Sequence, residues 1–202
     1  LSNQTGTENV AIGRKTLRVN TTSNNTAVGS NALFANTTGA GNVAVGTFAL
    51  DANTTANNNI GIGYFSLSNN TTGTRNIGIG TSALLANTTA DNNTAIGYNA
   101  LVANTTGATN TAVGANSLDS NTTGGGNVAV GYNAAQSNST GNSLTALGRD
   151  ALYGNTTGSD NTALGRQTLY TNTTGGQNVA VGKAALESNT SADNNTAVGF
   201  ES

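Results

Sequence analysis

A block of 17 residues, written "NTAVGSNALFANTTGAG" at 25–41, recurs along this chain with some letters held and others released. A fixed period of this length means that one small unit stacks on copies of itself, so each residue must suit its own unit and its neighbour. With Asn25 as position 1, blocks begin at Asn9, Asn25, Asn42, Asn59, Asn76, Asn93, Asn110, Asn127, Leu144, Asn161, Asn178 and Asn195. Every spacing is 17 except the first, which is 16. Position 5 is Gly throughout, position 4 is Val, Ile or Leu, and position 3 is Ala or Gly. Position 9 is Leu from Leu17 to Leu186, with Ala135 the one exception. Position 12 is Asn, followed by Thr-Thr or a Ser variant of it, while positions 6, 7 and 10 vary.

The period selects among repeat folds. Helical solenoids need roughly 30 residues or more per unit, and a Gly in every block opposes a helix. The "NVAV" and "NTAI" stretches, bounded by Gly and Asn-Thr-Thr-Gly turns, read as short strands. The expectation is an all-β solenoid, a β-roll or β-helix of about twelve coils, with residues 1–202 a single repeat array and no separate domain. Coils ~4.8 Å apart would align equivalent side chains in columns and make a rod of roughly 55 Å. In that frame positions 4 and 9 are expected to form the apolar spine. Gly at position 5 permits the positive φ, or the close approach, that ends the strand. Asn at positions 1 and 12 can pass amide hydrogen bonds from coil to coil. Alternation then turns position 3 outward. An outward position restricted to Ala and Gly implies a second surface packed against it, and strands restricted on both faces are usually buried on both. The expected surface is another copy of the chain.

Composition narrows the chemistry. Charged residues make up 8% of the chain, against about 25% in ordinary domains. The net charge is −2, and no basic cluster lies beyond Arg14, Lys15 and Arg18, which argues against a nucleic-acid partner. No apolar run approaches the ~20 residues of a membrane span. Low net charge together with a kept apolar phase argues against disorder. Without His or Cys, a triad or metal cluster would rest on Ser, Lys and acids at drifting positions, so no enzyme, cofactor, catalytic residue or metal site is expected. The glycines around Gly61 and Gly78 lack the spacing and following helix of a phosphate loop.

Three surface features invite sharper readings. Glycosylation sequons occur at Asn3, Asn20, Asn36, Asn53, Asn70, Asn87, Asn104, Asn121, Asn138, Asn155, Asn172 and Asn189. They suit either a structural Asn column in a turn or sugar-bearing Asn or Thr. The paired threonines invite an ice-binding reading, but adjacent residues point to opposite faces, whereas a flat ice face wants T-x-T. Tyr64, Tyr98 and Tyr132 share position 6 in alternate coils. They would stack on sugars or be incidental surface rings.

The core "N-x-A-[VI]-G-x-x-[AS]-L", as in "NTAVGSNAL" and "NTAIGYNAL", resembles the head repeats of trimeric autotransporter adhesins. The fuller form with "NTTG" resembles repeats of phage tail fibres and bacterial surface proteins that often precede an intramolecular-chaperone domain. This resemblance covers the whole chain. It implies a left-handed β-roll in each of three parallel chains, an extracellular, cell-surface or virion location, and a non-catalytic role as the shaft of an adhesin-like or tail-fibre-like fibre. Its partners would be copies of itself and a surface glycan or receptor. The alternatives are a binding module that uses one solenoid face for glycan or ice, and a heavily glycosylated fibril protein. The last block stops at Ser202, position 8, and aligning "LSNQTGTEN" with "LSNNTTGTRN" puts Leu1 at position 9. Uncapped ends in register are expected to stack head to tail, or to be cut from a longer array.

Overall fold

A computed structural model describes residues 6–202; the sequon at Asn3 and the register of Leu1 lie outside the described residues. Twelve three-residue strands follow one another: β1 (Val10–Ile12), β2 (Thr26–Val28), β3 (Val43–Val45), β4 (Ile60–Ile62), β5 (Ile77–Ile79), β6 (Thr94–Ile96), β7 (Thr111–Val113), β8 (Val128–Val130), β9 (Thr145–Leu147), β10 (Thr162–Leu164), β11 (Val179–Val181) and β12 (Thr196–Val198). They form one sheet in sequence order. Each neighbouring pair is parallel, with position 3 over position 3, as in Ala27 on Ala44 and Ala95 on Ala112. Hydrogen bonds between coils continue beyond the strands, for example Leu50 N to Ser66 O at 3.0 Å and Thr71 N to Thr88 O at 2.9 Å. The chain is therefore the expected parallel β-solenoid, with its coils set by the 17-residue period.

The inward and outward faces are the reverse of the sequence expectation. Position 3 faces the coil interior: Ala27, Ala44, Ala95, Ala112, Ala146, Ala163 and Ala180 are fully buried. Position 4, expected in the spine, faces out. Val28, Val45 and Val113 are half-buried, and Ile62, Ile96, Val130 and Leu164 are exposed. The reason is room. The interior holds a column of Leu at position 9, broken at Ala135, beside the buried Asn columns of positions 1 and 12, and the other inward positions, 3 and 8, must stay small to pack against them at protein density. Where position 3 loses even its methyl group, the gap is used. A Cβ at Gly61 would lie 3.1 Å from Leu50 Cγ, and one at Gly78 would lie 2.7 Å from Ser66 Oγ. Ser66 Oγ donates to Gly78 O at 2.7 Å. Restriction to Ala and Gly thus reports the protein's own core, and position 3 is no contact with a second chain.

Each coil turns through left-handed backbone at defined places. Position 5 is Gly with φ between 127° and 140°. Position 7 follows at φ near 57°, often as Asn, whose short polar side chain tolerates this region. Position 9 is unexpected: the buried leucines also sit there, Leu84 at 54°, Leu101 at 53° and Leu118 at 50°. Left-handed backbone costs roughly 1–2 kcal/mol for a residue with a Cβ, so burial of the Leu column must outweigh it. It also explains why position 9 holds Leu and never Ile or Val, since β-branched residues are outliers in this region. Leu101→Met and Leu101→Ile both conserve volume, a change that usually costs under ~1.5 kcal/mol. The Ile variant should be less stable than the Met variant by about 1 kcal/mol or more, in urea melts of the two proteins side by side. Equal stability would remove the conformational explanation for Leu.

Candidate interaction surfaces

The outward sheet face is built from positions 2 and 4 of β1 to β12, and none of these 24 side chains is charged. Position 4 supplies only Val, Ile and Leu. Position 2 supplies Val, Ile and six threonines: Thr26, Thr94, Thr111, Thr145, Thr162 and Thr196. The in-register ladder sets the two ranks ~7 Å apart across the face and ~4.8 Å apart along it. β-Branched side chains, which fill all of these positions but Leu147 and Leu164, stand firmly at χ1 on such a surface, so the face is stiff. Hydrophobicity alone does not find this face, because it assigns Val and Ile to the interior. The usable signal was volume: the larger residues alternate with Ala, and only Ala fits inside.

The Asn-Thr-Thr segment forms the opposite kind of surface, one that is closed. At position 12, Asn36 Nδ2 donates to Asn20 Oδ1 at 2.7 Å, Asn53 to Asn36 at 2.8 Å, and the ladder continues unbroken to Asn189 on Asn172 at 2.9 Å. From Asn36 onward each Nδ2 also donates to the position 15 carbonyl of its own coil, as Asn104 does to Gly107 O at 2.9 Å. Both amide hydrogens are thus committed, and Asn20, Asn36, Asn53, Asn70, Asn87, Asn104, Asn121, Asn138, Asn155 and Asn172 are fully buried. An N-linked sugar on these atoms would require an open coil. Position 1 forms a second ladder, in which Asn59 N donates to Asn42 Oδ1 at 2.9 Å while Asn59 Nδ2 donates to Gly73 O at 2.8 Å. Leu144 interrupts it: its N–H still donates to Asn127 Oδ1 at 2.9 Å, but it has no amide to pass on. The paired threonines do point apart. At position 13 the hydroxyl is tied to the next coil, as Thr105 Oγ1 to Thr122 O at 3.0 Å, whereas Thr106 at position 14 is exposed.

Titratable groups are sparse and scattered. Burial pushes the Asp51 carboxyl above its ordinary range, partly offset by the hydrogen bond from Ser68 Oγ at 2.6 Å. Asp119 is raised by burial in the same way, offset by Gln136. Both lie at position 10 and each leans on the next coil's position 10 residue. Among the described residues no three acidic side chains converge on a point where a metal ion would be held. Tyr64, Tyr98 and Tyr132 stand exposed just beyond the Gly bend. Neither a protein-family model, nor a curated protein, nor a solved structure matches this chain.

Proposed function

We propose that this chain is a rigid, non-catalytic shaft segment of an extracellular or virion fibre, assembled from parallel copies through the outward sheet face. The observation that carries this reading is a ladder of 24 uncharged positions running the length of the sheet. A parallel sheet is normally covered on both faces, and an apolar rank as long as position 4, flanked by an uncharged one, marks a contact surface. At a length of roughly 50 Å and a width of roughly 10 Å from strand spacing and rise, each chain offers roughly 500 Å². A pair then buries about 1,000 Å², the lower bound for a specific interface. Three chains around one axis would cover more of each face and bring equal columns together in register. The likeness of the "N-x-A-[VI]-G" core to trimeric adhesin heads favours that arrangement.

Sedimentation equilibrium tests it. The wild-type chain should run as a trimer at micromolar concentration. Ile79→Glu combined with Val113→Glu should give monomers with an unchanged far-ultraviolet circular dichroism spectrum, because both side chains stand outside the core. A monomeric wild type would overturn the shaft reading. The same face also suits a second reading, an ice-binding one, since six position 2 threonines and the position 4 aliphatics stand in two regular ranks at the strand spacing, with hydroxyls on one rank only. Inhibition of ice recrystallisation by a monomeric wild type, lost on Thr94→Lys with Thr111→Lys, would establish that reading instead.

A further inference from the structure

We infer that Tyr64, Tyr98 and Tyr132 form a binding strip for a neutral, extended β-1,4-linked hexopyranose chain. All five tyrosines of the protein lie at position 6 or position 10. Where aromatic residues occupy the same position in adjacent coils, the rings close on one another. Tyr153 and Tyr170 stack at 5.1 Å with 13° between planes, and Phe48 and Phe65 at 5.0 Å with 7°. The three position 6 tyrosines skip a coil each time, with Thr81 and Ala115 between them, and so avoid stacking on one another, while Tyr64 meets Phe65 of its own coil edge to face at 4.3 Å. Their exposures are 50%, 57% and 50%.

Skipping a coil also sets the interval, ~9.6 Å at the usual strand spacing. In an extended β-1,4-linked pyranose chain, successive sugars are turned over relative to each other. The same sugar face therefore recurs at every second residue, an interval close to two coil rises. Three tyrosines would then meet alternate sugars on one side of the chain, each ring packing on the C–H face of a pyranose. A polar complement runs beside them at position 7. Asn116 Nδ2 donates to Asn133 Oδ1 at 3.2 Å, and Asn133 Nδ2 to Asp150 Oδ1 at 3.1 Å. Asn99, next to the central tyrosine, begins this row, and among the described residues its side-chain amide has no hydrogen-bond partner. Apolar platforms with a few placed amides are the composition of small-molecule sites that recognise hydroxyl groups. No charged side chain occupies position 6 from Thr47 to Tyr132. Arg149, whose guanidinium lies 5.9 Å from the Tyr132 ring centre, ends the strip. At that end Arg149 is paired with Asp150 at 3.0 Å, so the strip carries no unbalanced charge and suits a neutral ligand.

Titration calorimetry of the assembled wild-type protein with cellohexaose, chitohexaose and maltohexaose tests this inference. At least one β-1,4-linked oligomer should bind, and the α-linked maltohexaose should not. Tyr98→Ala should weaken binding by about tenfold or more. Tyr132→Ala with Ala115→Tyr keeps three rings but breaks the two-coil interval, and should bind no better than Tyr132→Ala alone. Circular dichroism and sedimentation of each variant separate loss of the strip from loss of the fold or of lateral assembly. Absence of binding to both β-1,4-linked oligomers, equal binding of maltohexaose, or a Tyr98→Ala protein that binds as the wild type does would overturn the inference.

Discussion

Gly97→Ala is expected to break the stack where it is introduced. Gly97 has φ of 140°, a region that L side chains rarely adopt, and a Cβ built on it lies 2.5 Å from Gly114 O and 3.0 Å from Ala115 N. Both obstacles are backbone of the next coil, so no side-chain rotation relieves them. Strained backbone alone costs about 1–3 kcal/mol, and displacing the coil above adds the hydrogen bond from Gly114 N to Ile96 O at 2.8 Å. The total should exceed ~4 kcal/mol, the range reserved for disrupted packing or strain. Because a stacked array opens locally, hydrogen exchange is the measurement of choice, with protection lost mainly in the coils from residue 93 to residue 126. Gly125→Ala is the control. It changes the same atoms at position 16, where φ is not left-handed, the nearest atom to an added Cβ is Ala108 O at 3.1 Å, and Ala40 and Ala108 already occur. If both variants lose protection equally, the position 5 glycine has no special conformational role.

Asn104→Ala should be nearly as damaging, for a different reason. Asn104 Nδ2 donates to Asn87 Oδ1 at 3.1 Å and to Gly107 O at 2.9 Å, while its Oδ1 accepts from Asn121 Nδ2 at 2.9 Å. Truncation leaves partners on both sides of the coil without their bonds in an interior closed to solvent. At ~1–3 kcal/mol for each buried polar group left unpaired, the loss should reach about 3 kcal/mol or more. Asn104→Asp keeps the shape but replaces the donor by an acceptor, so Asn87 Oδ1 and Gly107 O would face a carboxylate; it should be worse than Ala at neutral pH. Thr106→Ala, on the exposed position 14 two residues away, should stay within about 0.5 kcal/mol of wild type. Thermal melts of the four proteins provide the check. An Asn104→Ala protein as stable as Thr106→Ala would mean that the ladder contributes nothing.

The two ladders and the glycine bends were legible in the letters themselves, because a residue stacked on its own copy must be self-complementary. An amide is: it donates at one end and accepts at the other. Gly recurring at one position in every block likewise announces a backbone demand that no side chain meets. The 17-residue period carried the rest of the architecture, since a parallel in-register stack needs only that equal positions meet equal positions. Which face of Ala27 or Val28 points inward was not legible. Alternation specifies two faces without labelling them, and a one-residue change of phase exchanges them. Hydrophobicity favoured Val28 for the interior. The closed coil decided for Ala27, because the space left beside the Leu33 column admits a methyl group and not a branched chain. The same tertiary constraint placed the leucines in left-handed backbone and buried the sequon asparagines from Asn20 to Asn172. It also turned the row of Val, Ile and Thr outward into a continuous face. Each of these depends on the cross-section of a closed coil, a quantity that no stretch of 17 letters contains.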